Sequence, residues 1–417
     1  MEIKRDRYLQ RLIRKKNNGL IKVITGVRRC GKSYLLFTLF TKYLAQSGVD
    51  DKHIITIAFD SFENKKYRNP NILYPYLKGQ FTDTNTYYVL LDEVQLLGEF
   101  EDVLNSLIRI PNVDVYVTGS NARFLSKDII TEFRGRGDEI HMYPLSFAEF
   151  MSVYPGTKED GWNEYMIYGG LPLILQYTTI EEKSRFLTTL FEETYISDIV
   201  GRHNIRNRTE LEEILNILSS AIGSLTNPTK LSATFKSVNK KIMSPSTIKR
   251  YIEYLQDAFL IDSAVRYDIK GKKYIGTPLK YYFTDLGLRN ARLNFRQLEA
   301  THAMENIIFN ELKMRGFNVD VGVIVQNYTN QKGNGQRKQL EIDFVCNQGT
   351  KRYYIQSAYA MPTLDKMQQE QRSLLLTGDF FKKVIITKDT PMPYYNEEGV
   401  LIMSIFDFLL YDDSLNR

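Results

Sequence analysis

Short apolar runs separated by polar, glycine-bearing breaks recur through the first third of the chain. The stretches 20–25 (LIKVIT), 54–59 (IITIAF), 87–91 (YYVLL), 113–118 (VDVYVT) and 139–143 (EIHMY) are rich in β-branched and aromatic residues. That is the pattern of strands buried on both faces. Helix-like stretches lie between most of them, so the pattern predicts a mostly parallel sheet covered on both sides. It organises residues 1–145 as one α/β domain.

Beyond Ser146 the periodicity turns helical, broken at 169–172 by GGLP, whose glycines and proline do not sit inside a regular helix. Residues 146–218 therefore read as a helical lid or linker. Over 219–293, helical segments lead to SPSTIKRYIEYLQDAFLI (244–261), with Ile248, Ile252, Leu255 and Phe259 at helical spacing, and then to strand-like runs at 262–267 and 279–283. Helices followed by a small hairpin predict a winged helix-turn-helix, with the helix starting near Ser246 in the recognition position. Residues 294–417 read as a last α/β unit: a helix (300–315), strands at 317–326, 341–346 and 352–357, a helix (362–377) and a strand at 383–387. The polar stretch NYTNQKGNGQRKQ (327–339) reads as a mobile hairpin loop between two of them.

Length agrees with several cores rather than one, because 417 residues exceed the roughly 250–300 at which a single core stops growing. No apolar run approaches the roughly 18 residues needed to cross a bilayer, and the charged N-terminus lacks a following signal-like apolar region, so a cytoplasmic protein without membrane partners is expected. Cys30 and Cys346 match no metal-ligand spacing and suggest no disulfide framework, and four histidines argue against a His-rich metal site. The net charge of +6 is unevenly spread. Lys4, Arg5, Arg7, Arg11, Arg14, Lys15, Lys16, Lys22, Arg28, Arg29 and Lys32 crowd the N-terminus against Glu2 and Asp6. Between Ile214 and Ile252 there is no acidic residue, yet Lys230, Lys236, Lys240, Lys241, Lys249 and Arg250 are present. Both segments are expected to face polyanions.

The break after the first strand is Gly26-Val27-Arg28-Arg29-Cys30-Gly31-Lys32-Ser33, a full GxxxxGK[ST] pattern between an apolar strand and a helix. Glycines let backbone N–H groups turn onto phosphate oxygens, Lys32 reaches the terminal phosphates, the Ser33 hydroxyl ligates Mg²⁺, and Tyr34 follows within the loop's reach. Hydrolysis also requires metal placement and an activated water. YYVLLDEVQ (87–95) supplies both in a Walker B arrangement: Asp92 to orient Mg²⁺ and Glu93 to polarise the water. VDVYVTGSN ends at Ser120-Asn121, where Asn121 would hold the nucleophilic water near the γ-phosphate. In FRGRGDEIHMYPLSFAEF (133–150), Arg134 and Arg136 sit beside glycines, and Arg136 would serve as a finger in a neighbouring subunit's site, which implies a homo-oligomer.

Together LIKVITGVRRCGKS, YYVLLDEVQ, VTGSNARFLS, FRGRGDEIHMYPLSFAEF and YMIYGGLP resemble the bacterial and archaeal AAA+-like P-loop ATPases of the AAA_14 kind with a C-terminal DUF4143 region. The later segments FLIDSAVRYD, KYYFTDLGLRN, HAMENIIFNELKMRGFNV and QLEIDFVCNQGTKRYYIQ extend the likeness over nearly the whole chain. The resemblance implies an AAA+-like ATPase core using ATP and Mg²⁺, then a winged helix, then a PD-(D/E)xK nuclease-like fold. In such a nuclease, carboxylates hold Mg²⁺ and a lysine positions the water. Glu305, the Glu341-Ile342-Asp343 strand and Gln356 supply part of the set, but Ala358 stands at the lysine's position, leaving Lys366 or another lysine as a migrated substitute. A degenerate nuclease fold used for binding or for positioning the ATPase is expected. For the winged helix, Ser246, Thr247, Lys249 and Arg250 would face a duplex, with Lys240 and Lys241 on phosphates. The expected function is an ATPase coupling ATP/ADP state to DNA or a partner protein. An ATP-switched DNA-binding regulator and an ATP-dependent nuclease are the alternatives.

Overall fold

The computed structural model describes residues 2–120, 135–238, 243–329 and 335–416. Two compact units make up the chain, Met1–Pro144 with Gln256–Phe259, and Leu145–Leu255 with Leu260–Arg417. The first unit is an α/β domain built on one parallel sheet.

Its five strands are β1 (Ile21–Thr25), β2 (Ile54–Ala58), β3 (Tyr87–Asp92), β4 (Val113–Thr118) and β5 (Gly137–His141), in the order β2-β3-β4-β1-β5. All neighbours pair in parallel. β1 and β3 are buried along their whole length, Lys22 of β1 included. The order places β4 between β1 and β3, so the chain ends of these three strands lie side by side on the carboxyl edge of the sheet. A continuous helix follows β1 in three segments, Lys32–Tyr34, Leu35–Phe40 and Thr41–Gln46, the middle one with the wider i→i+5 turn.

Part of the N-terminal basic run is spent inside the domain, while Lys4, Arg14 and Arg29 are exposed. Arg5, Lys22 and Lys32 are 2%, 0% and 5% exposed, and Lys15 is paired with Asp138. Lys22 sits on β1 in a buried ion pair with Asp114 of β4, to which the Tyr116 hydroxyl also donates at 2.8 Å. Part of the charge therefore holds the domain together instead of facing a polyanion. In the segment 214–252, by contrast, Lys230, Lys236, Lys249 and Arg250 are exposed, while Lys240 and Lys241 lie outside the described residues.

The second unit opens with helices Phe147–Met151, Lys158–Tyr168 and Ile180–Thr189, each begun by a reciprocal capping box: Ser146 with Glu149, Thr157 with Asp160, Thr179 with Glu182. GGLP ends the second of these, with Gly169 at φ 73°. Asp285 receives its chain at that point, accepting from Gly170 N at 2.8 Å and from Leu288 N at 3.1 Å, so that it caps helix Leu286–Arg292 as well. A Cβ on Gly169 would come within 2.3 Å of that carboxylate, and one on Gly287 within 2.1 Å of Tyr168 O. Asn290 Nδ2 donates to Met166 O and Ile167 O, satisfying the helix's last carbonyls. GGLP and TDLGLRN are thus two halves of one joint.

Helices Pro228–Val238 and Pro245–Asp257 precede β6 (Ile261–Asp268) and β7 (Lys273–Phe283), an antiparallel hairpin. The hairpin is not confined to a module of its own. β6 pairs in parallel with β8 (Asn318–Thr329) through Arg266–Asp268 and Val321–Val323. One mixed sheet then continues through β9 (Gly335–Gln348), β10 (Lys351–Ala358), β11 (Lys382–Thr387), β13 (Leu401–Ser404) and β12 (Tyr394–Tyr395), in the order β12-β13-β11-β10-β9-β8-β6-β7. The expected division at 293/294 therefore runs through a shared sheet. The polar stretch 327–339 is largely strand: β8 extends to Thr329 and β9 begins at Gly335, with 330–334 outside the described residues.

Candidate nucleotide site and acidic cluster

β1 stops at Thr25, and the chain turns at once into the helix beginning at Lys32. Gly26, Arg29 and Gly31 carry the turn with φ of 136°, 64° and 99°. Gly26 is demanded twice over, by its backbone and because a Cβ there would meet Met142 O at 2.0 Å. Val27 and Cys30 are buried and seat the loop, Cys30 Sγ lying 3.5 Å from Met142 O. Arg5 clamps it from beneath, donating to Cys30 O at 3.0 Å and Tyr143 O at 2.7 Å. Arg28 and Tyr34 are half-buried at the loop's rim, and Arg29 is exposed.

Lys32 Nζ donates to Gly26 O at 2.9 Å and Val27 O at 3.0 Å, folding the ammonium over the loop. Ser33 Oγ donates to Asp92 Oδ2 at 2.7 Å. Asp92 closes β3 and is 3% exposed; its other oxygen accepts from Thr118 Oγ1, at the end of β4. Thr118 Oγ1 in turn accepts from Glu93 N at 3.0 Å. Glu93 holds a left-handed backbone, φ 51°, and its carboxylate accepts from Ser120 Oγ at 3.3 Å and from Gln95 Nε2. Burial pushes the Asp92 carboxyl up from its usual value, against the hydrogen bonds from Thr118 and Ser33. A hydroxyl and a carboxylate this close are the hard oxygen donors that Mg²⁺ takes, so the Ser33–Asp92 pair fits the ion the motif implies.

Ser33, Asp92, Thr118, Glu93 and Ser120 are therefore linked in one hydrogen-bonded set, and Lys32 lies beside Ser33 with its ammonium on the loop carbonyls. Asn121 and Arg134 lie outside the described residues. Arg136 does not approach its own loop along the backbone: its carbonyl accepts from Ile21 N at 2.8 Å, at the opposite edge of the sheet. Sequence reading missed Thr118, whose signal is a hydroxyl residue closing strand β4 at the carboxyl edge. It also missed Arg5, and the contact of Thr25 Oγ1 at the end of β1 with Glu139 Oε1 (2.7 Å) and His141 Nδ1 (2.8 Å).

In the second unit, Ser246 and Lys249 and Arg250 are exposed on helix Pro245–Asp257 while Ile248, Ile252 and Leu255 are buried. Ser246 Oγ and Thr247 Oγ1 lie 2.8 and 2.9 Å from Ser244 Oγ, so these hydroxyls help to start the helix. Glu305, Glu341 and Asp343 do converge, and a lysine is among them. It is Lys280 of β7, with Nζ 2.8 Å from Glu305 Oε1, 2.7 Å from Glu341 Oε1 and 3.4 Å from Asp343 Oδ1. Lys366 instead pairs with Glu370 on its own helix. Gln356 Oε1 accepts from Asp343 N at 3.4 Å, and Ala358 is packed in an apolar cluster with Tyr354, Leu374 and Ile385.

A parallel sheet of order β2-β3-β4-β1-β5, with a phosphate loop after β1 and an acidic pair after β3, defines a P-loop ATPase core of the AAA+ type. A family model described as an AAA domain matches residues 18–151. Residues 159–299 match a domain of unknown function, DUF8612, rather than DUF4143. An uncharacterized protein of Haemophilus influenzae is 33% identical over 98% of both chains, and this chain belongs to its family. A second relative, an uncharacterized protein of Methanocaldococcus jannaschii, is 29% identical over 93% of this chain and 85% of its own. Among solved structures, the Aeropyrum pernix Orc1 protein in complex with DNA covers 70% of this chain and 92% of its own at 13% identity, with a TM-score of 0.29. A score that low bears on neither mechanism nor partner. No described helix is long and apolar enough to cross a membrane.

Proposed function

We propose that the chain is a Mg²⁺-dependent ATPase whose nucleotide state is coupled to nucleic-acid or partner-protein binding through its second unit. The observation that carries the catalytic half is the connected set Ser33–Asp92–Thr118–Glu93–Ser120 at the carboxyl edge of the sheet. Ser33 and Asp92 would hold Mg²⁺, which neutralises phosphate charge and orients the β- and γ-phosphates when bound. Lys32 exchanges its two loop carbonyls for phosphate oxygens. Glu93 accepts the proton of the attacking water, its carboxylate aimed by Ser120 and Gln95, with Asn121 as a further group for that water. Arg136, whose backbone sits at the far edge of its own sheet, acts on the nucleotide of a second copy, so Lys32→Ala and Arg136→Ala proteins should restore turnover to each other when mixed.

ATP turnover by the full chain, with and without duplex and single-stranded DNA, tests the proposal. Lys32→Ala should abolish binding or turnover. Glu93→Gln should keep ATP bound and stop hydrolysis; retained turnover sinks the base assignment. Stimulation by DNA favours a nucleic-acid motor or switch, and DNA-independent turnover favours a protein partner. The exposed Lys249 and Arg250 support a second reading, an ATP-switched DNA-binding regulator. Nucleotide-dependent DNA affinity with slow, DNA-independent turnover would select it.

A further inference from the structure

The cluster in the second unit has the acids of a nuclease-like site but an unusual cation. Lys280 reaches it from β7, Glu305 from helix Ala300–Met314, and Glu341 and Asp343 from β9. Lys280, Glu305 and Asp343 are 3%, 7% and 7% exposed. Glu305 and Asp343 are each held by more than one partner. Glu305 Oε1 accepts from Lys280 Nζ and, at 2.7 Å, from the Tyr282 hydroxyl; Asp343 Oδ2 accepts from Ser357 N at 2.9 Å while Oδ1 faces the ammonium. Gly223 covers Glu305 so closely that a Cβ there would stand 3.1 Å from its carboxylate. A phosphodiester backbone has no open approach to Glu305 or Asp343, while Glu341 is partly exposed at the edge of the cluster.

The Mg²⁺ that the nuclease-like resemblance implies does not fit these residues, because a fixed ammonium takes the place between the carboxylates that a divalent ion would need. Among the described residues, no three His, Cys, Asp or Glu side chains are arranged to hold a metal. We infer that Lys280 is the built-in cation of this cluster, which joins the β6–β7 hairpin to the C-terminal helix and sheet in place of binding a divalent metal. Electrostatics agree with the geometry. Burial by itself would lower the Lys280 pKa, but the surrounding Tyr282, Glu305, Asp343 and Glu341 hold it well above its usual value. Removing Lys280 would strand the buried charge of Glu305 and Asp343. This inference does not depend on the ATPase reading.

Mn²⁺ binding by the nucleotide-free full chain, followed by electron paramagnetic resonance, tests it. Wild type and Asp343→Asn should bind Mn²⁺ alike, since any ion at Ser33 and Asp92 contributes equally to both. Lys280→Gln should gain a site at least about tenfold tighter than anything wild type shows there, the scale on which a site's immediate partners tune metal affinity. Adding Asp343→Asn to Lys280→Gln should remove it. Folded Lys280→Gln protein without the new site overturns the inference. So does wild-type Mn²⁺ binding, or Mn²⁺-dependent DNA cutting, that is lost in Asp343→Asn, for Lys280 would then be a working nuclease's lysine. If circular dichroism shows Lys280→Gln unfolded, the comparison of wild type with Asp343→Asn decides alone.

Discussion

Thr118 Oγ1 donates to the Asp92 carboxylate and accepts from Glu93 N at 3.0 Å, so one hydroxyl on β4 sets both acids at the end of β3. A donor spent on Asp92 and a lone pair spent on Glu93 leave the hydroxyl no alternative orientation. It acts through those residues, as a positioning group. Thr118→Val keeps the shape and removes both bonds. Turnover should fall about 10–100-fold, as for other partners of metal-holding residues, with the KM for ATP little changed, and Thr118→Ser should recover most of it. Equal losses in kcat and in ATP affinity for both variants would mean that the residue only supports packing.

Gly26→Ala tests the seating of the phosphate loop. The substitution meets a backbone carbonyl at 2.0 Å and a φ of 136°. The loop must shift, and the strain costs at least about 1–3 kcal/mol. ATP binding measured by calorimetry should be lost while circular dichroism shows a folded, less stable protein; wild-type affinity would refute the loop's assignment.

Arg5→Met removes the clamp under that loop and leaves the carbonyls of Cys30 and Tyr143 without these donors. Each buried acceptor so stranded costs about 1–3 kcal/mol. Urea unfolding should show the loss together with weaker ATP binding, because the clamp holds the loop as well as the domain. Loss of stability with unaltered ATP affinity would confine Arg5 to the fold.

Asp285 gives the second unit a pH dependence. Burial pushes its carboxyl up to about 6, against the hydrogen bonds from Gly170 and Leu288. A folded-state pKa above the unfolded one favours the protonated form. The contribution is therefore present in full below about pH 4 and fades as pH rises to about 6, a change of roughly 2–3 kcal/mol. Asp285→Asn, which does not titrate, should lose that part of the slope. Denaturation profiles with the same slope for both proteins over this interval would rule Asp285 out as its source.

What could be read along the chain was what lies contiguous in it. Gly26 to Ser33 needs only a strand, a turn and a helix in succession, and Asp92-Glu93 only an apolar strand with an acidic end. Thr118 became legible only once β4 was known to lie between β1 and β3. Lys280 stands 25 residues from Glu305 and 63 from Asp343, so scanning the strand of Gln356 for a lysine found Ala358. GGLP was correctly read as a helix break, but its reason, the Asp285 carboxylate, lies 115 residues away from Gly170. The hairpin at 261–283 was legible as local structure; its attachment to β8 depended on pairing that no local pattern records.

That attachment bears on how the chain can be divided. β6 binds β8 along one edge and β7 along the other. A fragment ending at 293 would carry away the hairpin as an isolated two-stranded ribbon, which is marginal in water, and would strip β8 of its neighbour. The remainder, starting at 294, would present unpaired backbone groups along β8, a template for association with any other extended chain. Expression of either half should yield aggregates, whereas a break between residues 144 and 145 would leave the eight-stranded sheet whole.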